Sequence, residues 1–136
     1  MKRFFLGWTW FVIALIVLQV GLAGWGAVSQ GDDRTARFLG HVVNGGLLTV
    51  WLLLGLVFAA IARPGWKVVV LAAASLVMLV SQGFFTYSTD QSGHLSGISI
   101  ALHAANGLGI LTIQYIITRL TGKSIVRPTT PKETAA

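Results

Sequence analysis

The sequence predicts an all-α integral membrane protein: a four-transmembrane-helix bundle built from two parallel two-helix repeats. Three observations lead there. The composition is apolar, four apolar runs each have the length that crosses a bilayer, and one short motif occurs in the second run and again in the fourth. Hydrophobic residues make up 54% of the 136-residue chain and charged residues 10%, with the charges gathered between the runs. A helix needs about 20 consecutive apolar residues to span hydrocarbon, so four spans use most of the chain and leave little for a soluble domain. The net charge of +6 comes from basic residues scattered over loops and tails. That pattern suits a lipid surface and argues against nucleic acid as a partner. Cysteine is absent, which excludes disulfides and Cys-ligated metal or iron–sulfur sites and leaves histidine as the metal ligand.

The first span, residues 4–28, follows Met1-Lys2-Arg3 and is far longer than the core of a secretory signal peptide. The second covers 38–61, the third 66–87 and the fourth 95–120. Arg63-Pro64-Gly65 is so short a connection, with so strong a turn signal, that spans two and three form an antiparallel hairpin. Residues 1–120 thus form the bundle. Residues 121–136, with Pro128, Pro131 and several threonines, carry no apolar period and are expected to be a disordered cytoplasmic tail. The five tryptophans are read mostly as interfacial anchors at span ends.

Lysine and arginine set the orientation. Lys2, Arg3, Arg63, Lys67, Arg119, Lys123, Arg127 and Lys132 fall at one end of the bundle, and only Arg34 and Arg37 at the other. The sequence therefore predicts a multi-pass protein of the inner (plasma) membrane with both termini cytoplasmic.

Span two contains Gly40-His41-Val42-Val43-Asn44-Gly45, and span four Leu102-His103-Ala104-Ala105-Asn106-Gly107. Both read His-x-x-Asn-Gly. Gln19 and Gln82 stand about twenty residues before each motif, so the repeat unit is a two-helix hairpin whose two copies enter the membrane in the same direction. An ionisable side chain within a span is costly and marks a functional candidate. Helical spacing puts His41 on one face with Asn44 and Gly45, and His103 with Asn106 and Gly107. A glycine one turn from an imidazole would let a flat macrocycle lie against the helix while the imidazole supplies an axial nitrogen. Two histidines related by a two-fold axis would approach such a plate from both sides, which describes bis-histidine haem. Arg34 and Arg37, just outside the spans, are candidates for pairing with haem propionates, or else solvated loop charges. Small residues and polar Asn, Gln and His also serve plain helix packing in membranes. For one histidine that role is the default; two in matched contexts favour ligation. Gln19 and Gln82 are read as interhelical hydrogen-bond partners, and His94 as a solvated loop residue.

From about residue 11 to residue 120 the chain resembles one four-helix half of haem A synthase, through Phe38-Leu39-Gly40-His41, Gln82-Gly83 and Ile98-Ser99-Ile100-Ala101-Leu102-His103 in that order. The resemblance implies that His41 and His103 are the haem-ligating pair. It departs where the catalytic half of that family has an acidic residue before the first histidine; here Arg37-Phe38-Leu39-Gly40 leads in. A stand-alone module holding haem b, with its iron between His41 and His103, is the leading expectation, serving electron transfer, haem handling or redox sensing. The alternatives are a cofactor-free structural or assembly subunit of a membrane complex and a haem-modifying enzyme. No acidic residue lies within a span and no catalytic set emerges, so catalysis would need a cofactor. Gly21, Gly24, Gly26, Gly45 and Gly46 permit close helix approach and raise the expectation of a homodimer or of docking into a larger membrane complex.

Overall fold

In a computed structural model, which describes residues 1–28, 33–86 and 97–126, the chain is all-helical. The helices are α1 (Lys2–Ala27), α2 (Asp33–Ala62), α3 (Trp66–Thr86) and α4 (Gly97–Val126). All four are long and apolar enough to cross a membrane. Residues 29–32, 87–96 and 127–136, and with them the predicted ends at Tyr87 and Leu95 and most of the tail, lie outside the described residues.

Two helices run beyond the expected spans. α2 starts at Asp33, five residues before the predicted entry at Phe38. α4 does not stop at Leu120 but continues through six residues of the expected tail to Val126. Thr121 is fully buried, and Lys123 in the last turn complements the negative end of the helix. The turn after α2 falls where Pro64 and Gly65 predict it. Proline cannot continue a helix. Arg63 adopts a left-handed conformation (φ 49°) and Gly65 an angle open to glycine (φ 136°), while Arg63 N–H still bonds the Ala59 carbonyl at 3.1 Å. This is a helix end closed by a left-handed residue.

The helices form a ring in which α1 and α3 each neighbour both α2 and α4, leaving α2 and α4 diagonally opposed. Lys2 Nζ reaches the Ser124 carbonyl at 3.4 Å, so the first helix starts at the end of the bundle where the last one finishes. That end also holds the Arg63 turn and is called inner here. The other end, holding Val28, Asp33, Thr86 and Gly97, is outer.

Apolar packing is concentrated in the inner part. One cluster joins Phe5, Ala59, Ala62, Val68, Ala72 and Ile117; the next joins Val12, Ile16, Leu48, Leu52 and Ile110. Thr9 and Thr118 bridge α1 and α4 by a buried hydroxyl bond of 3.0 Å. Outward of Ile16, Leu48 and Ile110, the only described residues that are fully buried are Gly26, Asn44 and Ser99. The outer part is therefore held by polar contacts and small residues.

Trp25 and Trp66 stand exposed at helix ends, as anchors would. Trp8 and Trp51 correct that reading. Trp8 packs edge-on against Trp51 and Phe58 with ring centroids 5.3 and 4.8 Å apart, and its indole N–H donates to the Trp51 carbonyl at 3.3 Å. They join α1 to α2 well inside the helices, where an indole is stable once its N–H is satisfied.

Candidate functional site

His41 and His103 meet across the bundle. They come from the diagonal helices α2 and α4, and their ring centroids are 6.0 Å apart with the planes inclined at 50°. From the predicted span starts His41 lies about 5 Å and His103 about 12 Å along its helix. In the structure the helices start instead at Asp33 and Gly97, about 12 and 9 Å before the two histidines, and the imidazoles meet across the bundle.

Each histidine is backed by the glutamine of the preceding helix. A carbonyl can only accept, so His41 Nδ1 carries the proton and donates to the Gln19 carbonyl at 3.1 Å. Nε2 then keeps its lone pair, which the Gln19 amide nitrogen approaches at 3.3 Å. The same amide donates to the His41 carbonyl at 2.9 Å. Metal-ligating histidines characteristically donate their second ring N–H to a carbonyl or carboxylate, which sets the tautomer and aims the other nitrogen. Asn44 Nδ2 donates to Gln19 Oε1 at 2.7 Å and to the Leu15 carbonyl at 3.1 Å.

Across the bundle the contacts correspond in part. Asn106 Nδ2 donates to the Met78 carbonyl at 2.7 Å and approaches Ser81 Oγ at 3.4 Å; Met78 precedes Gln82 by one turn, as Leu15 precedes Gln19. The His103 imidazole lies beside the Gln82 backbone, yet its buried Nδ1 falls short of hydrogen-bond geometry, and the buried Gln82 Oε1 has no partner.

The glycines of the motif have a different neighbour from the one expected. A Cβ at Gly45 would stand 3.1 Å from Gln19 Nε2, and one at Gly107 would stand 3.5 Å from Gln82 Nε2. The space beside each glycine thus takes a glutamine side chain and not the face of a macrocycle. Gly26 is likewise engaged within the chain, its Cβ direction filled by the Phe38 ring at 2.8 Å, whereas Gly21, Gly24 and Gly46 face open space. Of the glycines expected to serve a dimer, those three remain available.

His41, Asn44 and Gly45 on α2, and His103, Asn106 and Gly107 on α4, are therefore gathered in one layer, together with Gln19 and Gln82. The side chains of Arg34 and Arg37 lie outside the described part of the structure, as does His94. Among the described residues no group of three or more His, Cys, Asp or Glu converges on one point. Gln19 was legible as an interhelical partner from its position before the motif; for Gln82 no side-chain hydrogen bond among the described residues answers that reading, and that both glutamines occupy the glycine clefts was not legible. No protein-family model, curated protein or solved structure matches this chain.

Proposed function

We propose that the chain is a multi-pass membrane protein built as a tandem pair of two-helix hairpins, and that it holds one haem b with His41 and His103 as axial ligands. The 6.0 Å separation of the two rings carries this reading. A metal–imidazole bond is about 2 Å, so two rings on opposite sides of one metal ion have centroids about 6 Å apart. Two protein ligands are too few for a structural zinc site but suit a metal whose remaining positions are filled by a macrocycle. The tautomer that Gln19 imposes on His41 puts the lone pair on Nε2, where the Gln19 amide at 3.3 Å would have to give way to a metal. The scarcity of buried apolar side chains around this layer leaves the outer part of the bundle adaptable to a plate-like occupant.

Such a haem would supply one-electron chemistry. His41 and His103 would hold it; among the described residues of the layer none is an acid or base suited to hydroxylating a substrate, so electron transfer, haem handling or redox sensing is favoured over haem modification. The excess of lysine and arginine at the inner end supports cytoplasmic termini and histidines near the outer leaflet of the plasma membrane. The competing reading is a cofactor-free subunit in which the histidines only join helices. The bonded Gln19–His41–Asn44 set favours it, and the Gln82 backbone beside the His103 imidazole is in keeping with it.

The test is optical spectroscopy on protein purified from a haem-replete host. Sharp low-spin bands that respond to reduction are expected, with loss of the haem in a double His41→Ala/His103→Ala variant. No Soret absorption, or unchanged binding in the double variant, would transfer the case to the structural subunit.

A further inference from the structure

Far from the histidine layer, on the outside of the inner half, α1 and α2 enclose an open groove of about 470 Å³ lined by Arg3, Phe4, Gly7, Trp8, Phe11 and Trp51. Its wall is aromatic and closely packed. Trp8 and Phe11 both meet Trp51 edge-on, at 5.3 and 5.4 Å, and Phe4 and Trp8 both stand against Phe58, at 5.1 and 4.8 Å. The Trp8 indole N–H is already spent on the Trp51 carbonyl. Gly7 keeps the middle open, since a Cβ there would meet nothing within 4 Å. Arg3 supplies the one charge in this lining, at the end of a trough that runs about 12 Å along α1 to Phe11.

An occupant that suits this groove is apolar over most of its length and anionic at one end. Arg3 is exposed, and among the described residues the inner end holds no acidic side chain to pair with it, only further cations such as Arg63, Lys67 and Lys123. Lys2 is engaged by the Ser124 carbonyl, which leaves Arg3 as the cation at the groove. Resting on the reading of the chain as a multi-pass membrane protein, we propose that the groove holds one anionic phospholipid of the surrounding leaflet. Its phosphate pairs with the Arg3 guanidinium, and an acyl chain lies along Phe4, Trp8 and Phe11 toward Trp51. A guanidinium meets a phosphate through two parallel N–H donors, and basic pockets beside membrane helices take anionic headgroups. The wall is held by its own ring contacts, so seating a chain on it orders little of the protein. A zwitterionic lipid brings the same phosphate with a cation attached, which this basic end repels.

The probe is phosphatidylglycerol with brominated acyl chains, set against phosphatidylcholine brominated in the same way, each in vesicles carrying the full chain. Trp8 and Trp51 report contact once Trp10, Trp25 and Trp66, which are exposed and outside the groove, are changed to Phe. Quenching by the anionic lipid should reach its plateau at about fivefold lower lipid fraction than by the zwitterionic one, the factor expected of one basic residue near a charged surface. Arg3→Gln should bring the two lipids level, and Lys67→Gln, at the same end but outside the groove, should not. Gly7→Leu, whose side chain enters open space, should reduce quenching by both. Wild-type protein serves in native mass spectrometry from detergent holding the two lipids in equal amount, where bound phosphatidylglycerol should exceed phosphatidylcholine about fivefold. Equal quenching or equal retention of the two overturns the proposal and leaves ordinary boundary lipid. A preference lost as fully in Lys67→Gln as in Arg3→Gln overturns it in favour of diffuse surface charge. Vesicle-bound protein quenched by neither lipid overturns it in favour of a second copy covering the groove. A chain that alkaline carbonate strips from the vesicles defeats the membrane reading, and this proposal with it; the other outcomes leave that reading standing.

Discussion

Asn44 donates to the side-chain oxygen of Gln19 at 2.7 Å, tying α2 to α1 one turn inward of His41. That contact decides which way the Gln19 amide nitrogen faces, and hence what His41 meets. It is also one of the few restraints in a part of the bundle where apolar burial is sparse.

The Gln19–Asn44 pair should therefore be energetically coupled. A double-mutant cycle with Gln19→Ala and Asn44→Ala, followed by unfolding in mild detergent, is expected to return about 0.6–1.7 kcal/mol of coupling, the scale of hydrogen bonds between membrane helices. The cycle for Gln82→Ala and Asn106→Ala should return close to zero, because those two side chains do not bond. Equal coupling in both cycles would contradict the asymmetry described here.

Glycine substitutions should rank by what they meet. Gly26→Ala forces a Cβ to within 2.8 Å of the Phe38 ring, an overpacking that typically costs about 1–3 kcal/mol. Gly109→Ala meets only the mobile end of Met78, at 2.7 Å, and should cost less. Gly24→Ala meets nothing and should be neutral or slightly stabilising. Thermal unfolding of the three variants in one detergent gives the order directly.

Within the motif, Gly45→Ala should disturb the site more than Gly107→Ala. The first would press on Gln19 Nε2 at 3.1 Å and the second only graze Gln82 Nε2 at 3.5 Å. Haem occupancy per chain, read from the Soret absorbance against protein concentration, is expected to fall in Gly45→Ala and to change little in Gly107→Ala. The reverse order would show that Gln19 does not position His41.

Orientation is open to labelling. Ser124→Cys, at the inner end of α4 where Lys2 docks, should resist an impermeant thiol reagent applied to intact cells. Ser92→Cys, between α3 and α4, should react. Protection of the second with labelling of the first would invert the topology.

Much of this architecture is legible in the sequence because hydrophobic length and the Pro64-Gly65 turn act locally. The helix ends are less so. Hydropathy reports hydrocarbon depth, whereas α2 and α4 continue past it, α4 with Lys123 in its last turn and Thr121 buried. The matching motifs single out His41 and His103, but only their ring contact shows that they share a layer, since the predicted span starts put them at different depths. The occupant of the glycine clefts does not follow, since a small residue makes room without naming what enters, and only the packing of α1 on α2 and α3 on α4 assigns that room to Gln19 and Gln82. The roles of Trp8 and Trp51 escaped for a similar reason: an indole within an apolar run reads as an anchor until its neighbours are known.

The apolar clusters around Phe5, Ile117, Leu48 and Ile110 all lie inward of the histidine layer, so the cohesion of the four helices does not run through the site. On the proposed reading, emptying the site would cost the bundle little, and an unloaded chain would persist as an assembled vessel, refilled and drained without being rebuilt.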